Sequence, residues 1–223
     1  MLYENSIQKA NLIMNLRSMG ISSEKVLSAI ETIPREIFLP STFQSYAYQN
    51  NPLPIGFEQT ISQPYIVALM TEALSLKGSE VILEIGTGSG YQTSILSLLS
   101  RRVYSIERIK PLLVNAHSCF KKLKLTNIIA ELGDGFLGWP KLAPFDHMII
   151  TCAVNKIDDR LLNQVRVNGS CIVPIGKTKN QQRLMKITIG NNKYEHVWED
   201  LGKVSFVPLI SEKDWIIFNV WEY

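Results

Sequence analysis

Apolar positions in the first third of the chain recur at helical spacing. Ile7, Ala10, Ile13, Leu16 and Met19 predict a helix over residues 5–19, and Gly20 stands where a helix C-terminus commonly takes a left-handed residue. Ser22 and Ser23 offer N-caps for a second helix that carries Val26, Leu27, Ile30 and Ile33 and is ended by Pro34. Residues 34–64 are rich in Pro and aromatics, and Pro40, Pro52 and Pro54 exclude a long helix there. The stretch reads as an ordered loop with a functional role. Pro64 suits the first turn of a further helix running to about Leu76, with Val67, Met70 and Leu74 on its buried stripe and Ser62 near its N-cap.

After Gly78 the period changes. Short apolar runs at 81–85, 103–106, 128–132, 148–151 and 170–175 read as buried parallel strands, and the helical stretches at 91–100, 111–123 and 158–167 connect them. That alternation predicts an α/β, Rossmann-like, doubly wound and mostly parallel sheet. Beyond Gly176 no long helix is expected. Residues 184–189 alternate, Gly190, Asn191 and Asn192 supply a turn, and extended runs reach Trp221, so the sheet should end in antiparallel strands.

Composition narrows the function classes. A chain of 223 residues with 46% hydrophobic and 19% charged residues falls in the globular range. A net charge of +3, scattered along the chain, argues against a nucleic-acid partner. No apolar run approaches the roughly 20 residues that span a bilayer, and the first residues lack a signal core, so a cytoplasmic protein without a membrane partner is expected. Cys119, Cys152 and Cys171 are odd in number and far apart, and His117, His147 and His196 are dispersed, a pattern that suggests neither disulfides nor a metal site.

The candidate chemistry starts at the first core strand. Glu84, Ile85, Gly86, Thr87, Gly88, Ser89 and Gly90 follow that strand and open a helix, which is the ligand end of a doubly wound sheet. The glycine pattern is G-x-G-x-G, whereas the dinucleotide fingerprint is G-x-G-x-x-G. Glu84 sharpens the choice, because a carboxylate beside the loop repels pyrophosphate and attracts the ammonium of a methionine moiety. S-adenosyl-L-methionine therefore fits better than NAD. Glu107 ends the second strand, where a carboxylate accepts hydrogen bonds from both ribose hydroxyls. Asp134 and Gly135, in a Gly-Asp-Gly turn after the third strand, are assigned to the adenine. Taken one at a time, each of these residues also reads as turn chemistry or an exposed charge.

The segment Leu53, Pro54, Ile55, Gly56, then Gln59, Thr60, Ile61, Ser62, Gln63, Pro64 resembles the substrate loop of the protein-L-isoaspartate O-methyltransferase family. The likeness also covers Pro34, Arg35, Glu36, Phe38 and Pro40, the glycine loop with Tyr91 and Gln92, and Ile106 to Arg108. It continues through Gly133 to Gly135 and reaches Phe206 to Leu209. It implies a class I methyltransferase fold and methyl transfer from S-adenosylmethionine to the free alpha-carboxylate of L-isoaspartyl residues in damaged proteins and peptides. The ester then collapses to a succinimide, which allows repair. Ser62 matches the family's active-site serine, and Gln59, Thr60 and Ile61 would bind the substrate. The domain organisation expected is one methyltransferase domain over 1–223, with a helical lead-in and substrate loop at 1–76, a cofactor-binding core at 77–176 and a C-terminal β extension at 177–223. A monomer is expected.

Four positions depart from the family pattern: Phe57, Glu58, Cys152, and Asn168 before Gly169. Glu58 either faces solvent, as charged loop residues usually do, or faces the pocket and repels an anionic acceptor. The cofactor loop alone leaves open a methyltransferase with another acceptor, or a binding module without turnover. Against the first of these stands the segment 59–64.

Overall fold

The change of period after Gly78 marks the join between a helical half and a sheet in the computed structural model, which describes residues 2–192 and 194–210. Helices α1 (Leu2–Ser18) and α2 (Glu24–Thr32) form the lead-in. Gly20 turns the chain at φ 98°, and the Ile21 N–H reaches back to the Leu16 carbonyl. Ser23 is the cap of α2, its hydroxyl accepting from the Val26 N–H. Val26, Leu27, Ile30 and Ile33 are all buried as the spacing predicts, but α1 shows a narrower face. Leu12 and Leu16 are buried, whereas Ile7 and Met19 are exposed.

Between Pro34 and Pro64 the expected loop has more structure than its composition suggests. Two 3-10 turns (Arg35–Phe38 and Ser41–Tyr46) precede a hairpin of β1 (Leu53–Gly56) and β2 (Gln59–Ile61). Gly56 pairs with Gln59, which leaves Phe57 and Glu58 as a two-residue turn at φ 52° and 56°. Positive φ at both central positions is the requirement of a type I′ turn, normally met by Asn-Gly or Asp-Gly. Phe-Glu carries no such signal, so the hairpin is invisible to turn chemistry. Helix α3 (Pro64–Ala73) then starts on its proline and buries Val67 and Met70.

The second half is a seven-stranded sheet. Its strands are β3 (Val81–Ile85), β4 (Arg102–Glu107), β5 (Ile128–Leu132), β6 (Phe145–Ile150), β7 (Val165–Ile175), β8 (Arg183–Thr188) and β9 (Val197–Lys203). Their spatial order is β5-β4-β3-β6-β7-β8-β9, with β3 to β7 parallel and the last two pairings antiparallel. Helices α4 (Tyr91–Leu99) and α5 (Lys110–Lys122) connect β3 to β4 and β4 to β5. Ile82, Leu83, Met148, Ile149, Ile172 and Val173 have no exposed surface. Strands covered on both faces in this way read as continuous apolar runs, which is why the sequence pattern locates them.

The region 158–167 is a correction. Only a short helix, α6 (Asp159–Leu162), forms there, and β7 already begins at Val165. Phe145 pairs with Val165 and its N–H donates to the Gln164 carbonyl, so the neighbouring strand claims residues that local spacing assigns to a helix. After β9 the chain returns to the sheet: the Ala153 N–H donates to Val207 and the Leu209 N–H to Ala153, both at 2.8 Å. The part of the expected extended runs from residue 211 to Trp221 lies outside the described residues. Among the described residues, no helix is long and apolar enough to cross a membrane.

Candidate active site

From β3 the chain winds outward through β4 to β5, then crosses back to place β6 on the other side of β3. Such a reversal opens a crevice at the carboxyl ends of the central strands. A cavity lies there, lined by Ile85 and Gly86 at the end of β3, Glu107 at the end of β4, and Thr151 and Cys152 after β6.

One wall comes from the hairpin. Gln59, Thr60, Ile61 and Ser62 all line the cavity, and Ile61 anchors the segment by burying its side chain in the lead-in core. Ser62 does not cap α3. The N-cap is Gln63, which makes no side-chain cap bond, so the capping role expected near Ser62 is absent. The segment is held from behind by Arg35, whose guanidinium donates to the carbonyls of Ala47 (2.6 Å), Asn51 (3.1 Å) and Ser62 (3.0 Å).

The glycine loop and the end of β4 also line the cavity. Glu107 is buried, its two carboxylate oxygens accepting from the Gly88 and Ile109 N–H groups, each at 2.8 Å. An ionised carboxylate has about four acceptor positions, so two remain. Gly86 has φ 95°, and a Cβ there would lie 2.3 Å from the Thr151 hydroxyl oxygen, which donates to the Gly86 carbonyl at 2.6 Å. Glycine is therefore required by both conformation and space. Gly88 and Gly135 line the same cavity.

Three expected residues are not brought to it. Glu84 is fully buried within the sheet, its Oε2 accepting from the hydroxyls of Thr93 and Ser105, and its Oε1 has no hydrogen-bond partner among the described residues. Burial pushes its carboxyl up to about 8, against the opposing effect of the two hydroxyl donors. Glu84 is linked to the cavity through side chains: the Ser105 hydroxyl also meets that of Thr87 at 2.6 Å, and Thr87 lines the cavity. Gly90 sits at the N-cap of α4 with φ 87°, and a Cβ would come within 2.7 Å of Phe120, so this glycine serves helix packing. Asp134 accepts from the Phe136 N–H at 2.9 Å and lines an adjoining cavity, with Ile106 shared between the two.

Comparison with known proteins bears on this arrangement directly. The family model described as Protein-L-isoaspartate(D-aspartate) O-methyltransferase (PCMT) matches residues 7–214. The chain belongs to the protein-L-isoaspartate O-methyltransferase family. Among curated members, that of Dictyoglomus turgidum is 50% identical over 208 residues, covering 93% of each chain. That of Rhodospirillum centenum is 46% identical over 206 residues, covering 92% of each. A solved protein-L-isoaspartate O-methyltransferase superposes with a TM-score of 0.80 at 27% identity, over 90% of this chain and 65% of that one. A putative member from Plasmodium falciparum, in complex with S-adenosyl-L-homocysteine, shares the fold with a TM-score of 0.78 at 24% identity, covering 90% and 97%.

Within the family framework, the departures acquire structural settings. Asn168 takes φ 65°, a left-handed conformation that Asn tolerates better than most residues. Cys152 lines the cavity with its thiol held protonated by burial. Phe57 and Glu58 are both exposed at the hairpin tip, and neither lines the cavity, which favours the solvent-facing reading of Glu58. Sequence reasoning assigned no site role to Thr87, Tyr91, Thr151, Cys152 or residues 207–210, all of which line the cavity. The stretch Phe206 to Leu209 did carry a signal in its likeness to the family. Thr151 carried none, because it reaches the site only through the pairing of β6 with β3.

Proposed function

We propose that this chain is a protein-repair methyltransferase that transfers a methyl group from S-adenosyl-L-methionine to the alpha-carboxylate of L-isoaspartyl residues in damaged proteins and peptides. The observation that carries the reading is the shared cavity: segment 59–62 and the glycine loop with Glu107 both line it. The family relation supports the same reaction.

The donor set fits the cofactor. Glu107, with two acceptor positions left, suits a ribose diol; Gly86 and Gly88 suit close backbone approach; Gly135 and the apolar Ile106 suit an adenine edge. Asp134 would act on the adenine side by holding the turn that carries Gly135. When bound, S-adenosylmethionine supplies an electrophilic methyl group on a sulfonium. The acceptor needs no general base, since a main-chain-type carboxylate with pKa near 3.5 is ionised at neutral pH. What the chain contributes is position. Ser62 is proposed to donate its hydroxyl proton to one carboxylate oxygen, and Gln59, Thr60 and Ile61 to hold the peptide backbone. Fixing two reactants in line contributes roughly 7 to 11 kcal/mol in favourable cases.

The protein is further proposed to act as a single-domain cytosolic monomer without a nucleic-acid partner. Cys119, Cys152 and Cys171 are free and buried, in keeping with a reducing compartment. The test is incubation with methyl-labelled S-adenosylmethionine and paired peptides containing isoaspartate or aspartate. Base-labile methyl ester on the isoaspartyl peptide alone is expected, and equal labelling of both excludes the reading.

A further inference from the structure

Arg35 has no exposed surface, yet among the described residues no carboxylate pairs with it. Its neighbours are three carbonyls and the face of Tyr91, whose ring centre lies 5.8 Å from the guanidinium carbon. Glu36, next in sequence, accepts instead from the Tyr48 hydroxyl. Among the described residues, the Nε of Arg35 and the hydroxyl of Tyr91 find no hydrogen-bond partner. A buried cation is strongly disfavoured unless an anion compensates it, and burial pulls Arg35 down to about 10 while leaving it charged at neutral pH. Two residues in contact with Arg35, Ser62 and Tyr91, line the cavity.

We propose, resting on the isoaspartyl reading above, that Arg35 is a positioning residue for the acceptor: its unpaired charge behind Ser62 and Tyr91 selects an ionised carboxylate, and its fork fixes the Ser62 backbone. The compensating anion is the substrate itself. Carbonyl dipoles from Ala47, Asn51 and Ser62 stabilise the guanidinium while the site is empty, and the arriving carboxylate supplies the missing charge across one layer of side chains. Two functions are thereby joined in one group. The same donor that orients the Ser62 peptide unit also sets the local potential, so neutral analogues of the acceptor are bound weakly.

The test uses the full chain with S-adenosylhomocysteine and two peptides, one isoaspartyl and one with that alpha-carboxylate replaced by a carboxamide. Their affinities, measured by calorimetry without turnover, give the carboxylate preference. Wild type should prefer the carboxylate by roughly 30-fold, the size of an attraction between unit charges about 8 Å apart at an effective dielectric near 20. Arg35→Gln, which keeps a donor for the Ser62 carbonyl but no charge, should bring the preference to within about 3-fold of unity. Arg35→Lys, which keeps the charge and loses the fork, should retain the preference while kcat falls by roughly 10-fold. A purely structural role would weaken both peptides equally in both variants, and that result overturns the proposal. If Arg35→Gln does not fold, Arg35→Lys decides: a lost preference, or an unchanged kcat, is the overturning result. A wild type that methylates the isoaspartyl peptide but binds both peptides equally sinks this proposal alone, whereas absence of methyl transfer sinks the acceptor reading and this proposal with it.

Discussion

Replacing Glu58 with glycine should stabilise the protein, because the turn forces a side-chain-bearing residue into a conformation made for glycine. Glu58 has φ 56° and follows Phe57 at 52°, so both central positions of the hairpin turn are left-handed. A residue with a Cβ loses roughly 1 to 2 kcal/mol in that region. Glycine avoids this strain but loses about 0.5 to 1 kcal/mol more backbone entropy on folding. The difference is a net gain of roughly 0.5 to 1 kcal/mol. Glu58 is exposed and lines no part of the cavity, so no packing is lost in exchange. For a chain of this size the gain corresponds to a rise in Tm of about 1 to 4 °C. The control is Glu58→Ala, which removes the same charge and most of the side chain but keeps the Cβ. It should melt within about 1 °C of wild type. Differential scanning calorimetry of the three proteins without ligand measures both effects. If alanine raises the Tm as much as glycine, charge is the cause and the strain argument fails; if glycine lowers it, the turn is not left-handed in solution. The same variants test the orientation of Glu58. Kinetics on neutral and basic isoaspartyl peptides should match wild type within about 2-fold, since a solvated charge at a loop tip is well screened.

Ser62→Ala should leave stability within about 0.5 kcal/mol, because Gln63 occupies the N-cap and no cap bond is lost. Its kcat should fall by roughly 10- to 100-fold, the worth of one hydrogen bond to a charged group, and wild-type turnover would remove Ser62 from the chemistry. For Glu107→Gln, S-adenosylmethionine affinity by calorimetry should weaken by about 1.5 to 3 kcal/mol, and unchanged binding in a folded variant would refute the ribose assignment. Glu84 makes a pH prediction. Its carboxyl titrates near 8 in the fold against an ordinary 4.5, so the folded state keeps a proton that the unfolded chain loses, and stability falls as pH rises from about 4.5 to 8. Glu84→Gln should flatten that decline, by several kcal/mol at most, in denaturant titrations at pH 5 and pH 8. Parallel pH dependence in variant and wild type would show that Glu84 is ionised throughout.

The sequence by itself determined the elements whose burial follows a local period. The spacing of apolar residues places β3 and β5 at the observed bounds, although Glu84 interrupts the first run and Glu131 the second, and α2 and α5 announce themselves by amphipathic spacing and by caps or an initial proline. It also determined the glycine loop and Glu107, because a switch-point loop and the carboxylate at the next strand end keep a regular separation along the chain. Only the tertiary structure decided what depends on partners distant in sequence. Residues 165–167 became strand because Phe145 pairs with Val165, an interaction that local propensity does not contain. Glu84 has the right position for a ligand, but the side chains of Thr93 and Ser105 turned it into a buried group that reaches the cavity through Thr87. Gly90 answers to Phe120 on another helix, and Arg35 meets Ser62 only because the hairpin folds back over the 3-10 turn that carries it. Side-chain direction and long-range pairing decide whether a polar residue lines a site or supports it, and neither is written in the spacing of residues along one strand or loop.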